Sequence, residues 1–201
     1  VNHLLDTAEK RVTTSKPPRQ NFMASPSELQ VQNLRVAWDE RAVVDDVSFA
    51  LRRGEKIALT GPSGSGKSSI AAAVLRLVEH GGSVSLDEVP VERLTDFRQH
   101  VVALMQATHV FAASVRENLL IANGYATDEE ITSALRKAGL LHWLKSLPNG
   151  LETKIGAAGQ PMSGGEVQRL GIARLLVSQA AFIVLDEPTE HLDDETASKV
   201  W

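Results

Sequence analysis

From Leu29 the chain alternates apolar and polar positions. Leu29, Val31, Leu34 and Val36 are followed by Val43, Val47, Phe49 and Leu51, the pattern of short strands in a half-buried sheet. Lys56-Ile57-Ala58-Leu59-Thr60 reads as a short buried strand, and after a Gly-rich loop residues 68–78 read as a helix. Another strand is predicted over 101–105. A mostly helical middle follows, where Thr127-Asp128-Glu129-Glu130 spells a capping box ahead of a helix with Ile131, Leu135 and Ala138 on one face. A last helix over 164–177 leads into an apolar strand over 181–185, ending in Asp186-Glu187-Pro188. Strand, loop, helix and strand in this order predict an α/β domain over 29–201, with a helical subdomain at about 107–178. Ahead of it, Leu4, Leu5, Ala8 and Val12 form an amphipathic stretch that passes into Thr13-Thr14-Ser15-Lys16-Pro17-Pro18-Arg19, so residues 1–28 read as a linker.

Composition narrows the class. The chain has 201 residues, 43% hydrophobic and 23% charged, enough for one well-buried domain with a small subdomain. With 21 Lys and Arg against 25 Asp and Glu, the formal net charge of -4 lacks the basic excess that phosphate-backbone binding demands, so nucleic acid is not expected as a partner. The absence of Cys excludes a disulfide framework, a thiolate metal site and a Cys nucleophile, and fits a reducing compartment. The strongly apolar stretches at 71–78 and 180–185 are far short of the roughly 20 residues a spanning helix needs. A Val start without a signal-peptide pattern, and a predicted helix over 195–201 without a Gly or Pro stop, lead us to expect a piece of a longer protein.

Gly61-Pro62-Ser63-Gly64-Ser65-Gly66-Lys67-Ser68 fits G-x-x-x-x-G-K-[ST] between a predicted strand and a predicted helix. Chance would produce this pattern in roughly 1 in 100 chains of this length. Its chemistry is phosphate binding. Glycines let backbone N–H groups turn around phosphate oxygens and the helix N-terminus adds its positive end, while Lys67 reaches the β- and γ-phosphates and the Ser68 hydroxyl binds Mg²⁺. Asp186 and Glu187 end the apolar strand, where one carboxylate can hold Mg²⁺ and the next can polarise an attacking water. Met162-Ser163-Gly164-Gly165-Glu166 reads two ways: a capping box formed by Ser163 and Glu166, and a helix start whose free N–H groups form an anion site.

Together, in this order, the three segments resemble the nucleotide-binding domain of ABC (ATP-binding cassette) proteins, and the resemblance covers residues 29–199. It implies a P-loop NTPase (RecA-like) core with an antiparallel β subdomain and an inserted helical subdomain, cut short at the C-terminus. Mg-ATP is then the expected ligand. The phosphate loop together with Ser69 would hold the nucleotide, and Ser163, Gly164 and Gly165 would complete the site of a second ATPase domain, identical or not. Gln106 would correspond to the family glutamine that touches Mg²⁺ and the water, acting with Lys67 and the catalytic Glu187, and Ser68, Gln106 and Asp186 would be the metal positions. Trp38 matches the place of the adenine-stacking aromatic, with a buried strand tryptophan as its rival reading. Asp193 in Glu190-His191-Leu192-Asp193 fits the D-loop, whereas His191 is not the switch histidine, which would fall beyond Trp201.

Val110-Phe111-Ala112-Ala113-Ser114-Val115-Arg116-Glu117-Asn118-Leu119 and the linker resemble the exporter branch, as does Lys154-Ile155-Gly156-Ala157-Ala158-Gly159, the X-loop. Met162 and Glu166 depart from the usual Leu and Gln of the signature, and Ala157 from the usual X-loop Glu. More loosely, Glu190-His191-Leu192-Asp193 and His109-Val110-Phe111 resemble the heterodimeric CydDC exporters. The expectation is an ATPase on the cytoplasmic side of the cell membrane, reaching the membrane only through its own or a partner's transmembrane domain. A soluble ABC ATPase acting on DNA or ribosomes is the alternative, disfavoured by the net charge and by the short span from Lys67 to Ser163. A small-molecule kinase would share the phosphate loop but leaves Met162 to Glu166 unexplained.

Overall fold

The computed structural model describes residues 25–186 apart from Glu40 and Ala107. The N-terminal stretch and its Pro-rich run, Glu187, the Glu190 to Asp193 segment and the predicted helix over 195–201 lie outside the described residues.

Strand β1 (Glu28–Trp38) lies between β2 (Arg41–Arg52) and β3 (Gly81–Leu86), and the two-residue β4 (Val89–Pro90) closes an antiparallel sheet of order β2-β1-β3-β4. The apolar spacing explains its shape. Leu29, Val31, Leu34 and Val36 are all buried although Val31 and Leu34 are three apart, and the ladder to β2 shifts register between them. A bulge therefore returns the apolar face to the core after one extra residue. Asn33 takes the left-handed conformation there (φ 48°), its N–H donating to Ser48 Oγ at 2.8 Å and its Nδ2 to Asp46 Oδ1 at 2.6 Å.

Between β3 and β4, Asp87 and Glu88 both have positive φ (43° and 66°), as a two-residue hairpin turn requires. The Asp87 carboxylate accepts hydrogen bonds from the Ser27 hydroxyl at 2.7 Å, the Ser27 N–H at 3.0 Å and the Glu28 N–H at 2.8 Å, which pins the start of β1. Burial acts to raise its pKa, but the Ser27 and Glu28 donors outweigh it and the net shift is downward. These contacts thus support the fold at neutral pH and are lost as pH falls through that lowered pKa.

Helix α1 (Lys67–Val74) follows the phosphate loop and buries Ile70, Ala71, Ala73 and Val74. It stops four residues short of the predicted end at 78, because Arg76 turns left-handed (φ 59°) and donates from Nη1 to the Val91 carbonyl at 2.9 Å. Helix α2 (Phe97–His100) leads into β5 (Val101–Leu104), which pairs in parallel with β6 (Phe182–Leu185). Between these strands run α3 (Val115–Leu120), α4 (Asp128–Lys137), α5 (Leu141–Ser146) and α6 (Gly164–Ser178). The capping box expected before α4 is present, Thr127 Oγ1 accepting from Glu130 N–H and Glu130 accepting from Thr127 N–H.

The buried side chains form two clusters. One joins the antiparallel sheet and α1 to Val101 and Phe182, and the other joins α3 to α6 to Leu104 and Ile155. β5 and β6 alternate between them, Val101, Phe182 and Val184 facing the sheet cluster and Val102, Leu104 and Leu185 the helical one.

The strand expected at residues 56–60 does not form. All five residues are exposed, Ile57 by 44% and Leu59 by 42%, and no described strand pairs with them. An apolar run becomes a strand only through a ladder to a neighbour, and the described parallel sheet contains only β5 and β6.

Gly82 faces the β1 bulge with φ 77°, and a Cβ there would stand 2.3 Å from the carbonyl oxygens of both Gln32 and Asn33. Gly82→Ala combines left-handed strain with a backbone clash and is expected to cost about 2–4 kcal/mol. Urea unfolding checks this; a loss below about 0.5 kcal/mol would mean that the bulge is not held by this contact.

Candidate functional site

Three glycines shape the loop ahead of α1, with φ of 156° at Gly61, 78° at Gly64 and 89° at Gly66. Gly66 also has no room for a side chain, since a Cβ would lie 2.7 Å from the Val43 carbonyl oxygen. Gly66 is the N-cap of α1; no side chain caps the helix and no acidic residue occupies its first turn. Its leading N–H groups therefore keep their positive end for an external anion. Lys67 Nζ donates to the carbonyls of Gly61 at 3.0 Å and Pro62 at 2.9 Å, so the cation lies on the loop itself. Pro62, Ser63, Ser65 and Ser68 are exposed along the same stretch. This donor set suits a polyphosphate.

Trp38 ends β1 and is 52% exposed, so it is not a core tryptophan. Its Nε1–H donates to Ser69 Oγ at 3.2 Å, tying the indole to the first turn of α1.

The parallel register places the other candidates. Leu104 pairs with Leu185, so Gln106, two residues past β5, and Asp186, the residue after β6, leave the same end of the strand pair. Asp186 N–H donates to the Leu104 carbonyl at 2.9 Å, carrying the pairing one residue past the ladder. Gln106 is exposed. Among the described residues no group of three or more His, Asp or Glu could hold a metal by itself. A hydroxyl at Ser68 and a carboxylate at Asp186 instead fit Mg²⁺, which is commonly held by one or two protein oxygens together with substrate phosphates.

Ser163 is the N-cap of α6, and both earlier readings of this segment share one geometry. The capping box is formed: Ser163 Oγ accepts from Glu166 N–H at 3.3 Å and Glu166 Oε2 accepts from Ser163 N–H at 2.8 Å. Yet Ser163 and Gly164 are exposed, and a Cβ on Gly164 would meet nothing within 4 Å. Among the described residues nothing needs that glycine, which leaves the helix start open to close approach. The preceding X-loop is tightly folded. Gly156 has φ 81° with its Cβ position 3.1 Å from the Phe111 carbonyl oxygen, and a Cβ on Gly159 would lie 2.2 Å from the Lys154 carbonyl oxygen. Ala157 is exposed.

The phosphate loop and the Ser163 helix start are thus carried by helices of different clusters, α1 in the sheet cluster and α6 in the helical one. The profile of the ABC transporter family matches residues 44–190, well over half of the chain. The chain belongs to the ABC transporter family. Among curated relatives of this ABC domain, an ATP-dependent lipid A-core flippase of Pseudomonas aeruginosa is 40% identical over 174 residues, 84% of this chain and 29% of the relative. The Bacillus subtilis glutathione/L-cysteine transport protein CydD is 42% identical over 171 residues, covering 84% of this chain and 30% of the relative. CydC of Escherichia coli is 32% identical over 200 residues, 97% of this chain and 35% of the relative. The chain therefore spans about a third of the length of the curated relatives it matches. A solved bacterial Atm1-family ABC exporter with ATP bound superposes with a TM-score of 0.82 at 26% identity, over 99% of this chain and 37% of that one.

One part of this ABC domain is not legible in the sequence, the pairing of Asn118 with Arg174. Asn118 is fully buried and its Oδ1 accepts from Arg174 Nη2 at 2.7 Å. The signal available was a lone Arg among Ile172, Ala173, Leu175 and Val177 on an apolar helix, without a carboxylate at i±3 or i±4.

Lys67 is the one side-chain cation in the phosphate loop, and a charge-assisted contact to phosphate is worth about 1.5–3 kcal/mol. Lys67→Ala is therefore expected to weaken ATP binding by roughly ten- to a hundredfold without unfolding the domain. Calorimetry with circular dichroism as the folding control checks this; unchanged affinity would exclude the loop as the binding site.

Proposed function

We propose that this chain is the ATP-binding and hydrolysing motor domain of an ABC exporter, working on the cytoplasmic side of the membrane. Two such domains close head to tail over Mg-ATP and drive an attached transmembrane domain. One observation carries the reading: each described candidate group lies at or just past an element end. The loop opens α1, Gln106 follows β5, Ser163 opens α6 and Asp186 follows β6. Element ends are where backbone donors and carboxylates are left available for a ligand.

The roles follow from the side chains. The amides of Gly61 to Ser68 and the α1 N-terminus hold the phosphates, and Lys67 exchanges the Gly61 and Pro62 carbonyls for phosphate oxygens. Trp38, held by Ser69, offers its exposed face to the adenine. Ser68, Gln106 and Asp186 would hold Mg²⁺, which when bound neutralises charge on the phosphates. Glu187 orients and polarises the attacking water. Ser163, Gly164 and Gly165 serve the nucleotide held by the neighbouring domain.

Relatives of similar identity are named for lipid A-core, for iron–sulfur clusters and for glutathione/L-cysteine. That spread of cargo over similar motor domains supports a division of labour in which the cargo is chosen by the transmembrane portion. Their being transporters favours an exporter over a soluble ABC ATPase.

The reading is tested in the complete protein with its partner by site-resolved nucleotide trapping. Glu187→Gln keeps the shape of the side chain but removes its charge, so ATP should stay bound at this chain's own phosphate loop while turnover there falls about a hundredfold or more. Ser163→Arg should leave that site binding ATP and impair the neighbour's. If both substitutions disable the same site, the head-to-tail assignment fails.

A further inference from the structure

On α6, Gly171 and Arg174 are three residues apart and share a face. At Gly171 a Cβ would lie 2.5 Å from Leu104 Cδ1 and 2.9 Å from Thr108 Oγ1, so the helix backbone passes directly against the end of β5 and the loop after it. One turn further on, half-buried Arg174 grips the same segment. Its Nη1 donates to the His109 carbonyl at 2.6 Å, its Nε to the Asn118 carbonyl at 2.9 Å and its Nη2 to Asn118 Oδ1 at 2.7 Å. The guanidinium carbon is 5.6 Å from the centre of the Phe111 ring, and His109 meets that ring edge-on at 4.6 Å.

Asn118 completes the grip from α3. Its Oδ1 also accepts from the Phe111 N–H at 3.0 Å, and its Nδ2 donates to the carbonyls of Phe111 at 3.0 Å and Ser114 at 2.9 Å. On the far side of the loop, Ile155 N–H donates to the Ala113 carbonyl at 2.9 Å. Burial lowers the Arg174 pKa, but a guanidinium stays charged. The three acceptors named are amide oxygens from two separate segments. A planar fork with fixed donor directions can span them at once; the single ammonium of a lysine cannot.

We propose that Arg174 is a positioning residue: with Asn118 it fastens His109, and through it the segment that carries Gln106, to the helix that opens at Ser163. The glutamine of one nucleotide site and the signature offered to the other are then parts of one rigid body, and a displacement at either is passed to the other. Arg174 touches no nucleotide and acts through Gln106, so this inference rests on the role given to Gln106 above.

The test uses the complete protein with its membrane domain and partner, and measures kcat and KM for ATP for Arg174→Lys in the native and Gln106→Ala backgrounds. In the native background kcat should fall about ten- to a hundredfold, with KM for ATP little changed because the phosphate loop is intact. In the Gln106→Ala background the same change should have almost no further effect on kcat, since the group being positioned is gone. Equal losses in both backgrounds would give Arg174 a purely structural role and overturn the proposal. So would a raised KM with unchanged kcat. An inert Gln106→Ala would instead overturn the role of Gln106, and with it the use made of Arg174. Should Arg174→Lys fail to fold, hydrogen exchange of the unaltered protein decides. The Phe111 amide should be as protected as amides inside α6, with or without ATP; loss of its protection on adding ATP while α6 stays protected would overturn the proposal.

Discussion

The parallel pairing of Val101–Leu104 with Phe182–Leu185 is the constraint on which the rest of the architecture depends. The two strands are four residues each, yet they separate the two hydrophobic clusters and contribute side chains to both. A slip of β5 by one residue against β6 would exchange the faces of β5, driving Leu104 toward the sheet cluster and Val101 toward the helices. It would also part Gln106 from Asp186. The Asp186 N–H bond to the Leu104 carbonyl and the seat of Gly171 against Leu104 both reinforce this register from outside the ladder.

Two helix starts face outward from this frame, and they are built differently. α1 begins at a glycine with no capping side chain, so its donors stay bare and Lys67 is parked on nearby carbonyls. α6 begins with a complete Ser163–Glu166 capping box, so part of its donor capacity is already used within the chain. The first suits a site that must hold a polyphosphate by itself. The second suits a surface stable on its own that meets a phosphate already bound elsewhere, with Gly164 leaving room for the approach.

Much of this was legible in the sequence, for identifiable reasons. The phosphate loop and the capping boxes are local motifs whose chemistry lies within a few residues, and Thr127 with Glu130 and Ser163 with Glu166 formed as spelled. The bulge in β1 is not part of that reading, because Leu29, Val31, Leu34 and Val36 read as simple alternation and the shift between Val31 and Leu34 shows only in the ladder. Residues 56–60 failed because an apolar run does not say whether a partner strand is present. α1 ended early at Arg76 because a long-range bond to the Val91 carbonyl competes with one more helical turn. Arg174 and Asn118 were invisible as a pair because 56 residues separate them and only the packing of α6 on α3 brings them together.

On the proposed function, the phosphate loop and the Ser163 signature of one chain serve different nucleotides. These 201 residues contain no Cys, so Ser163→Cys gives them one thiol, to which a photoactivated crosslinker can be attached in the complete protein once any cysteines outside them are replaced. With ATP present, peptide mapping should find the crosslink on the phosphate loop of the neighbouring domain, and isotopic labelling of one chain separates the copies if the two are identical. A crosslink confined to Gly61 to Ser68 of the same chain would place both on one nucleotide and overturn the head-to-tail arrangement.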